Sequence, residues 1–251
     1  MRGGEVGSNA TYAPPLTPPY TRGRNSCYDV FMLAVSTIPA GLDTVTSIIA
    51  LVIAVVFHEV SHGYVANLLG DSTAKYAGRL SLNPLRHIDM WGTIIIPLIL
   101  IITRAGFIFG YAKPVPVNYY NLRHGKWGPV LVALAGPATN FCIVLICGLI
   151  VRLLPEGTAF PYLFIMIGLV NAFLMLFNLI PIPPLDGSHV LLVFLEHRPD
   201  ITRVLERYGM FILIGIMLFA PGFLSRFVFG PAIYLTSWAT GISPFELVAI
   251  F

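Results

Sequence analysis

Long uncharged stretches separated by short polar segments dominate this chain. Because roughly 20 apolar residues cross the hydrocarbon core of a bilayer, each such stretch is a candidate transmembrane helix. The candidates lie near residues 44–69, 90–112, 129–151, 160–182, 208–222 and 227–245. The last two are short or interrupted by Gly and Pro, so the pattern predicts about five or six spans. The fold class predicted is an all-α polytopic membrane protein.

Composition supports this class. Of the 251 residues, 56% are hydrophobic and only 11% are charged, whereas a soluble domain has about 25% charged residues. The 15 Lys and Arg residues lie mostly in short segments between the spans, and the net charge is only +3. These figures argue against a soluble globular domain, indicate no nucleic-acid partner and predict the lipid bilayer as the environment of the protein.

The first 26 residues differ from the rest of the chain. Residues 1–26 are polar and rich in Pro and Gly, and they contain no apolar segment of the kind found in a signal peptide. This composition predicts a disordered tail. Residues 27–251 are then expected to form one membrane-embedded domain, with its core in residues 44–200.

The five residues from His58 to His62, His-Glu-Val-Ser-His, lie inside an apolar stretch. One helical turn separates the two imidazoles, so both project from one face and can hold a single zinc ion, with Glu59 beside them as a potential base. Residues 44–57 before them carry no charge. Ionisable groups at membrane depth are costly unless paired or metal-bound, which favours a functional role. A chance match in a buried helix is the alternative if these five letters are taken alone.

Two histidines do not complete a catalytic zinc site, which usually has three protein ligands and an open position for water. Asp186 is the best candidate for the third ligand, because it ends an uncharged, proline-rich segment, NLIPIPPLD. Its prolines break the helix, so the segment must be buried in protein or line a polar cavity. The alternative is that Asp186 only caps the helix that follows it.

Two other segments favour an extended backbone. Residues 78–82 alternate between polar and apolar as a strand does, and prolines at alternate positions favour an extended conformation in residues 114–118. An exposed strand edge can capture an unwound substrate through backbone hydrogen bonds. We therefore predict a short sheet or re-entrant loop near the zinc, and ordinary connecting loops are the alternative.

Several motifs in order along the chain carry a family resemblance. HEVSHG, GRLSLNP, AKPVPVN, AGPATN and NLIPIPPLDG together resemble the site-2 protease family of intramembrane zinc metalloproteases, over roughly residues 44–200. The resemblance implies that His58, His62 and Asp186 bind one catalytic Zn²⁺ and that Glu59 is the catalytic base. With no PDZ insertion or CBS extension evident, the sequence resembles the compact subgroup of the family.

The resemblance also implies roles for two asparagines. Asn140 in AGPATN and Asn178 in NLIP are expected to bind the substrate or the developing oxyanion. For each of them, hydrogen bonding between membrane helices is the alternative.

The sequence thus predicts a zinc-dependent metalloendopeptidase that hydrolyses peptide bonds within or next to transmembrane segments of membrane-protein substrates. The resemblance implies an integral protein of the bacterial cell (inner) membrane. One alternative is a catalytically silent relative that binds membrane helices, which the intact set of His, Glu and Asp argues against. Another is an ion or proton transporter, which predicts inverted repeats that the sequence does not show. The sequence assigns neither a particular substrate nor an oligomeric state.

Overall fold

A computed structural model gives the architecture of the chain. The structure describes residues 40–103, 112–155 and 160–249, and the predicted tail, residues 1–26, lies outside them. All regular structure in the described residues is helical. The predicted all-α class is confirmed.

Four long helices set the frame, and shorter ones connect them. The α-helices in the described residues are α1 (Ala40–Leu68), α2 (Thr73–Tyr76), α3 (Ile96–Ile102), α4 (Trp127–Leu153), α5 (Phe160–Asn178), α6 (Gly187–Phe194), α7 (Pro199–Phe219), α8 (Pro221–Leu224), α9 (Gly230–Thr240) and α10 (Pro244–Ala249). Short 3-10 turns occupy Pro84–His87 and Tyr119–Asn121, and π-helical turns occupy Met90–Ile95 and Ser225–Phe229.

In the described residues, three helices are long and apolar enough to cross a membrane, namely Val45–Leu68 within α1, the whole of α4, and Pro161–Asn178 within α5. A fourth span is present if the bent pair Pro199–Phe219 and Gly222–Thr240 is taken as one broken span, with a 92° bend between its helices. The predicted count of five or six is therefore not confirmed in the described residues.

The C-terminal third of the chain explains part of the difference between the predicted and the observed number of spans. The first half of α7 is charged, because it carries Asp200, Arg203, Glu206 and Arg207. The chain then bends at the break around Pro221, where proline removes a backbone donor. Neither predicted C-terminal segment is thus a straight span of its own. The second predicted span, near 90–112, is helical over residues 90–102, and residues 104–111 lie outside the described part.

The three spans α1, α4 and α5 pack against one another and form the centre of the bundle. Ala50, Cys147, Tyr162 and Met166 meet in one buried cluster between them. Helices in lipid associate through close packing and hydrogen bonds, and small residues allow this approach. Gly148 on α4 shows a close approach of the same kind to a fourth helix, because a Cβ atom at this position would lie 2.6 Å from the backbone of α9.

No β-strand is present in the described residues, so the strand-like alternation of residues 78–82 does not produce a sheet. Two carbonyls of residues 78–82 contact side chains instead. The Arg86 guanidinium donates to the Gly78 carbonyl, and His87 Nε2 lies 2.8 Å from the Ser81 carbonyl. Arg79 donates to the Lys113 carbonyl at 2.7 Å. Residues 78–82 and 114–118 are therefore non-helical segments joined to each other by Arg79.

Candidate active site

His58 and His62 lie on one face of α1 inside the span. Their ring centroids are 4.6 Å apart and the rings are almost perpendicular, at 87°. His58 is buried, with 5% of its surface exposed. The helical spacing read from the sequence thus brings the two imidazoles together, as predicted.

Asp186 reaches the same point from the turn before α6. Its Oδ2 atom lies 3.1 Å from His58 Nε2 and 3.4 Å from His62 Nε2. The potential ligand atoms of the three residues all lie within 4.8 Å of one another. Asp186 occupies the N-cap position of α6, but its side chain makes no capping hydrogen bond. The alternative of a purely capping role therefore has no support in the geometry.

The remaining ring nitrogens show which atoms are free to bind a metal. His58 Nδ1 lies 3.3 Å from Asn140 Oδ1, and His62 Nδ1 lies 2.8 Å from the Val132 carbonyl. Both partner atoms are acceptors, an arrangement that favours the tautomer with the proton on each Nδ1 and a lone pair on each Nε2 directed towards Asp186. This is the arrangement in which histidine binds a metal, with the other ring nitrogen held by an acceptor.

The surroundings of Asp186 Oδ2 show whether a cation fits between the three side chains. This oxygen is buried, and with the proton of each imidazole on Nδ1 it has no hydrogen-bond donor among the described residues. A buried carboxylate without a donor is strongly destabilising unless a positive charge neutralises it. Two imidazole nitrogens and one carboxylate oxygen form a donor set that catalytic zinc prefers. The residues present therefore fit a zinc ion.

Gly136 in α4 is a site residue that the sequence reading did not single out. A Cβ atom at this position would lie 2.5 Å from His58 Cε1 and 2.6 Å from His62 Nε2. Only glycine lets the α4 backbone pass so close to the two imidazoles, and the same helix then supplies the acceptors on Asn140 and Val132. The available sequence signal was a glycine in the middle of an apolar helical pattern, which often marks a close approach.

Glu59 is held by the segment of residues 114–118. The Val115 N–H donates a hydrogen bond of 3.0 Å to Glu59 Oε2. The Val115 side chain is buried over Gly63, where a Cβ atom would lie 2.7 Å from Val115 Cγ1 and 2.7 Å from Leu80 Cδ2. The two segments predicted to be extended therefore both pack on α1 immediately beside the His-Glu-Val-Ser-His turn.

Asp71, just after α1, is a fully buried carboxylate that the sequence reading missed. It accepts hydrogen bonds from Thr73 Oγ1 at 2.5 Å and the Thr73 N–H at 3.2 Å. It also accepts from the Asn118 N–H at 2.7 Å and Asn121 Nδ2 at 3.1 Å. Burial opposes ionisation, but these donors outweigh it and hold the pKa of Asp71 below its usual value of 3.8. Asp71 thus joins the end of α1 to the segment that contacts Glu59.

Tyr119 and His189 lie at the edge of the same site. Their ring centroids are 5.5 Å apart. The backbone N–H of His189 donates to the backbone carbonyl of Asp186 at 3.0 Å. Burial, with a contribution from the negative charge of Asp186, raises the pKa of Tyr119. Burial lowers the pKa of His189. The two rings therefore lie within electrostatic range of Asp186.

The two asparagines predicted to bind substrate have different surroundings. Asn140 is fully buried and contacts His58, and its Nδ2 atom has no hydrogen-bond partner. Asn178 ends α5, and its Nδ2 atom donates to the Leu174 carbonyl of its own helix at 3.0 Å. The contact between Asn140 and His58 is the helix-to-helix hydrogen bond named as the alternative for Asn140. A substrate contact for either residue stays a prediction.

Comparisons with known proteins agree with this geometry. The family described as Peptidase family M50 matches residues 154–219, which include Asp186. A Bacillus subtilis protein named "Putative zinc metalloprotease YwhC" is 38% identical over 195 residues, which cover 73% of this chain and 84% of that protein. "Putative zinc metalloprotease Rip2" of Mycolicibacterium smegmatis is 31% identical over 178 residues, which cover 68% of this chain and 65% of that protein. No solved structure shows a significant match to the chain.

A helical membrane bundle in which two histidines and an aspartate converge defines the class of membrane-embedded zinc metalloproteases. Within that class, the chain belongs to Peptidase family M50, the site-2 protease family. It is a zinc metalloprotease, as the sequence predicted.

Proposed function

We propose that this zinc metalloprotease hydrolyses peptide bonds within or next to transmembrane segments of other membrane proteins. The observation that carries the proposal is the position of the converging side chains. His58 and His62 belong to a helix that is long and apolar enough to cross a membrane, and α4 and α5 pack against that helix. A peptide bond that reaches these residues must therefore enter the helical bundle.

We assign His58, His62 and Asp186 as the zinc ligands and Glu59 as the base. Bound zinc would polarise the scissile carbonyl and acidify a water molecule. The chain's own residues orient the ligands, since the Asn140 side chain and the Val132 carbonyl hold the two imidazole N–H groups. Glu59 takes the proton of the attacking water and returns it to the leaving amine.

We also propose that Asn140 contacts the reacting peptide. Its Nδ2 atom is buried beside His58 and has no hydrogen-bond partner, so its N–H groups are available to a developing oxyanion. A donor of this kind contributes about 3 to 4 kcal/mol in the transition state of other hydrolases. For Asn178 the proposal rests on the family resemblance, since its amide N–H bonds to its own helix.

A transmembrane substrate is itself helical, so its scissile amide is hydrogen-bonded and shielded. Substrate segments that contain Gly, Asn or Pro unwind more easily than segments of Leu. We expect such residues near the cut to raise the cleavage rate. For its location we propose the bacterial cell (inner) membrane, because three described helices can span a bilayer and a relative comes from Bacillus subtilis.

Glu59→Gln tests the division of roles. The substitution keeps size and hydrogen bonding but removes the base, so zinc content should stay at one ion per chain while cleavage falls below detection. The assay is cleavage of a purified, tagged single-span test substrate in detergent, together with zinc measured by plasma mass spectrometry.

Ser61→Ala is the matched control within the same helical turn. The Ser61 hydroxyl donates to the His58 carbonyl of its own helix at 2.6 Å, so its loss should leave both zinc and cleavage unchanged. A Glu59→Gln enzyme that cleaves at the wild-type rate would refute the assignment of the base. Wild-type enzyme that cleaves an unfolded soluble protein but never a membrane segment would refute the proposed substrate class.

A further inference from the structure

We propose that Asp71 is a positioning residue for catalysis, which acts through residues 114–118 to hold the Glu59 carboxylate in its working orientation. The inference rests on the proposed role of Glu59 as base. It adds a residue outside the zinc site to the machinery of the reaction, and it assigns a function to a buried charge that zinc binding does not use.

The first observation is the direction of the hydrogen bonds at Asp71. Two of them come from Thr73, within the turn that follows α1, and use Oδ1. Oδ2 accepts the Asn118 N–H at 2.7 Å, and Asn121 Nδ2 donates to Oδ1 at 3.1 Å. The carboxylate thus joins two parts of the chain that are far apart in sequence. Bonds between an ionised carboxylate and N–H groups are stronger than bonds between neutral groups.

The second observation is what the anchored segment does at its other end. Three residues before Asn118, the Val115 N–H donates to Glu59 Oε2 at 3.0 Å. Pro114 and Pro116 flank Val115 and have no N–H, and the Val117 N–H makes no hydrogen bond within the described part of the chain. Val115 is therefore the single backbone donor that this segment directs at Glu59.

The physical link between the two ends is rigidity. Prolines fix the backbone on both sides of Val115, Val115 is buried over Gly63, and Asp71 fixes the segment at Asn118. Glu59 is a flexible side chain that would otherwise sample several rotamers. A donor held in place on one carboxylate oxygen leaves the other oxygen directed at the reacting water. Misplacement of a catalytic group by about 1 Å can cost about 100-fold in rate.

Two proline substitutions separate the donor from the packing. Val115→Pro removes the N–H that contacts Glu59, whereas Val117→Pro removes an N–H without such a contact. Both positions follow a proline, and both side chains pack on the bundle. We expect Val115→Pro to lower kcat by about 10- to 100-fold with zinc content and KM unchanged. Val117→Pro should lower kcat less than Val115→Pro, because the N–H that it removes makes no contact with Glu59 and additional proline is compatible with an extended segment.

Substitutions at Asp71 test the anchor in the same way. Asp71→Asn keeps the shape of the side chain but replaces one acceptor oxygen by an NH2 group, which then faces hydrogen-bond donors. This loss of the anchor should lower kcat about tenfold. Thr73→Val is its matched control, because it removes the 2.5 Å bond from the Thr73 hydroxyl and leaves Asn118 and Asn121 in place. This control should reduce thermal stability and leave kcat unchanged. If Asp71→Asn fails to fold, Asn121→Ala removes the bond between Asp71 and the 3-10 turn that directly follows residues 114–118, and it should lower kcat about threefold.

A double-mutant cycle provides the readout that a merely structural role would not change. If Asp71 acts through the Val115 N–H, then adding Asp71→Asn to Val115→Pro should lower kcat no further, although the losses in thermal stability add. Multiplied losses in kcat, or equal kcat for Val115→Pro and Val117→Pro, would overturn the inference. The Glu59→Gln result keeps the two proposals apart. Inactive Glu59→Gln combined with wild-type kcat in Asp71→Asn would refute only the positioning role.

Discussion

Asp71 and Asp186 are both largely buried carboxylates near the site, and they differ in how their negative charge is stabilised. Asp71 is fully buried, and each of its carboxylate oxygens accepts hydrogen bonds from neutral donors. Asp186 is largely buried too, with 18% of its side chain exposed, but its Oδ2 atom has no donor and faces two imidazole nitrogens. The protein therefore satisfies the charge of Asp71 by its own donors, whereas the charge of Asp186 fits the metal ion proposed to bind there.

The difference teaches how stability and function are divided in this molecule. A satisfied buried carboxylate fixes the conformation of the segments that donate to it. An unsatisfied one costs free energy until a ligand binds, so it marks the place where binding is favourable. Both aspartates lie in turns that begin or end a helix, yet only the pattern of donors around each one separates the two roles.

Removal of the unsatisfied carboxylate should have the largest effect. Asp186→Asn keeps the size of the side chain but weakens the ligand, so we expect loss of zinc and a fall in cleavage of about a thousandfold or more. Asp200→Asn is the control, because Asp200 is exposed on α7 with 89% of its side chain accessible. Zinc content and cleavage of the tagged substrate are the measurements. Retention of one tightly bound zinc ion by Asp186→Asn would place the third ligand elsewhere.

A methyl group beside the two imidazoles should have the next largest effect. Gly136→Ala brings a Cβ atom within 2.5 Å of His58 Cε1, so α4 must shift and the imidazoles lose their orientation. We expect zinc affinity and cleavage to fall about 10- to 100-fold. Gly168→Ala on α5 is the control, because its Cβ atom would make an ordinary contact at 3.6 Å with Cys147. Equal activity of the two variants would mean that α4 does not hold the histidines in place.

The satisfied aspartate should affect stability, and in a pH-dependent manner. The folded protein holds the pKa of Asp71 below 3.8, so its contribution to stability is complete above the unfolded value and is lost as the pH falls through the folded value. We expect Asp71→Asn to cost about 1 to 2 kcal/mol at neutral pH. The cost should shrink as the pH falls below about 4. Thermal unfolding in detergent from pH 7 to pH 3 measures it, and a cost that does not change with pH would contradict this account.

The part of the site that depends on local spacing could be predicted from the sequence. The spacing of one helical turn predicted that His58 and His62 share a face with Glu59 beside them. The need for a third ligand and the proline-rich segment before it pointed to Asp186. Gly136, Val115 and Asp71 could not be predicted in this way. Their roles depend on which distant segment lies against α1, and a single sequence contains no direct record of such contacts.

The fold shows the same limit. Apolar length predicted the helical class and the spans in α1, α4 and α5, because these helices are apolar along their length. It failed in α7, where charges fill the first half and the chain bends by 92° beyond it. The alternation of residues 78–82 also pointed to a strand, whereas the described residues contain no strand and Arg79 joins this segment to the carbonyls of residues 113 and 114.

The three converging residues, His58, His62 and Asp186, come from opposite halves of the chain, and this sets a time order during synthesis. The helix with both histidines is synthesised before Asp186 and the helices that follow it. A nascent chain therefore holds two imidazoles but no complete binding site. With His58, His62 and Asp186 as the proposed ligands, we expect the protease to stay inactive until its second half has been made and folded against the first.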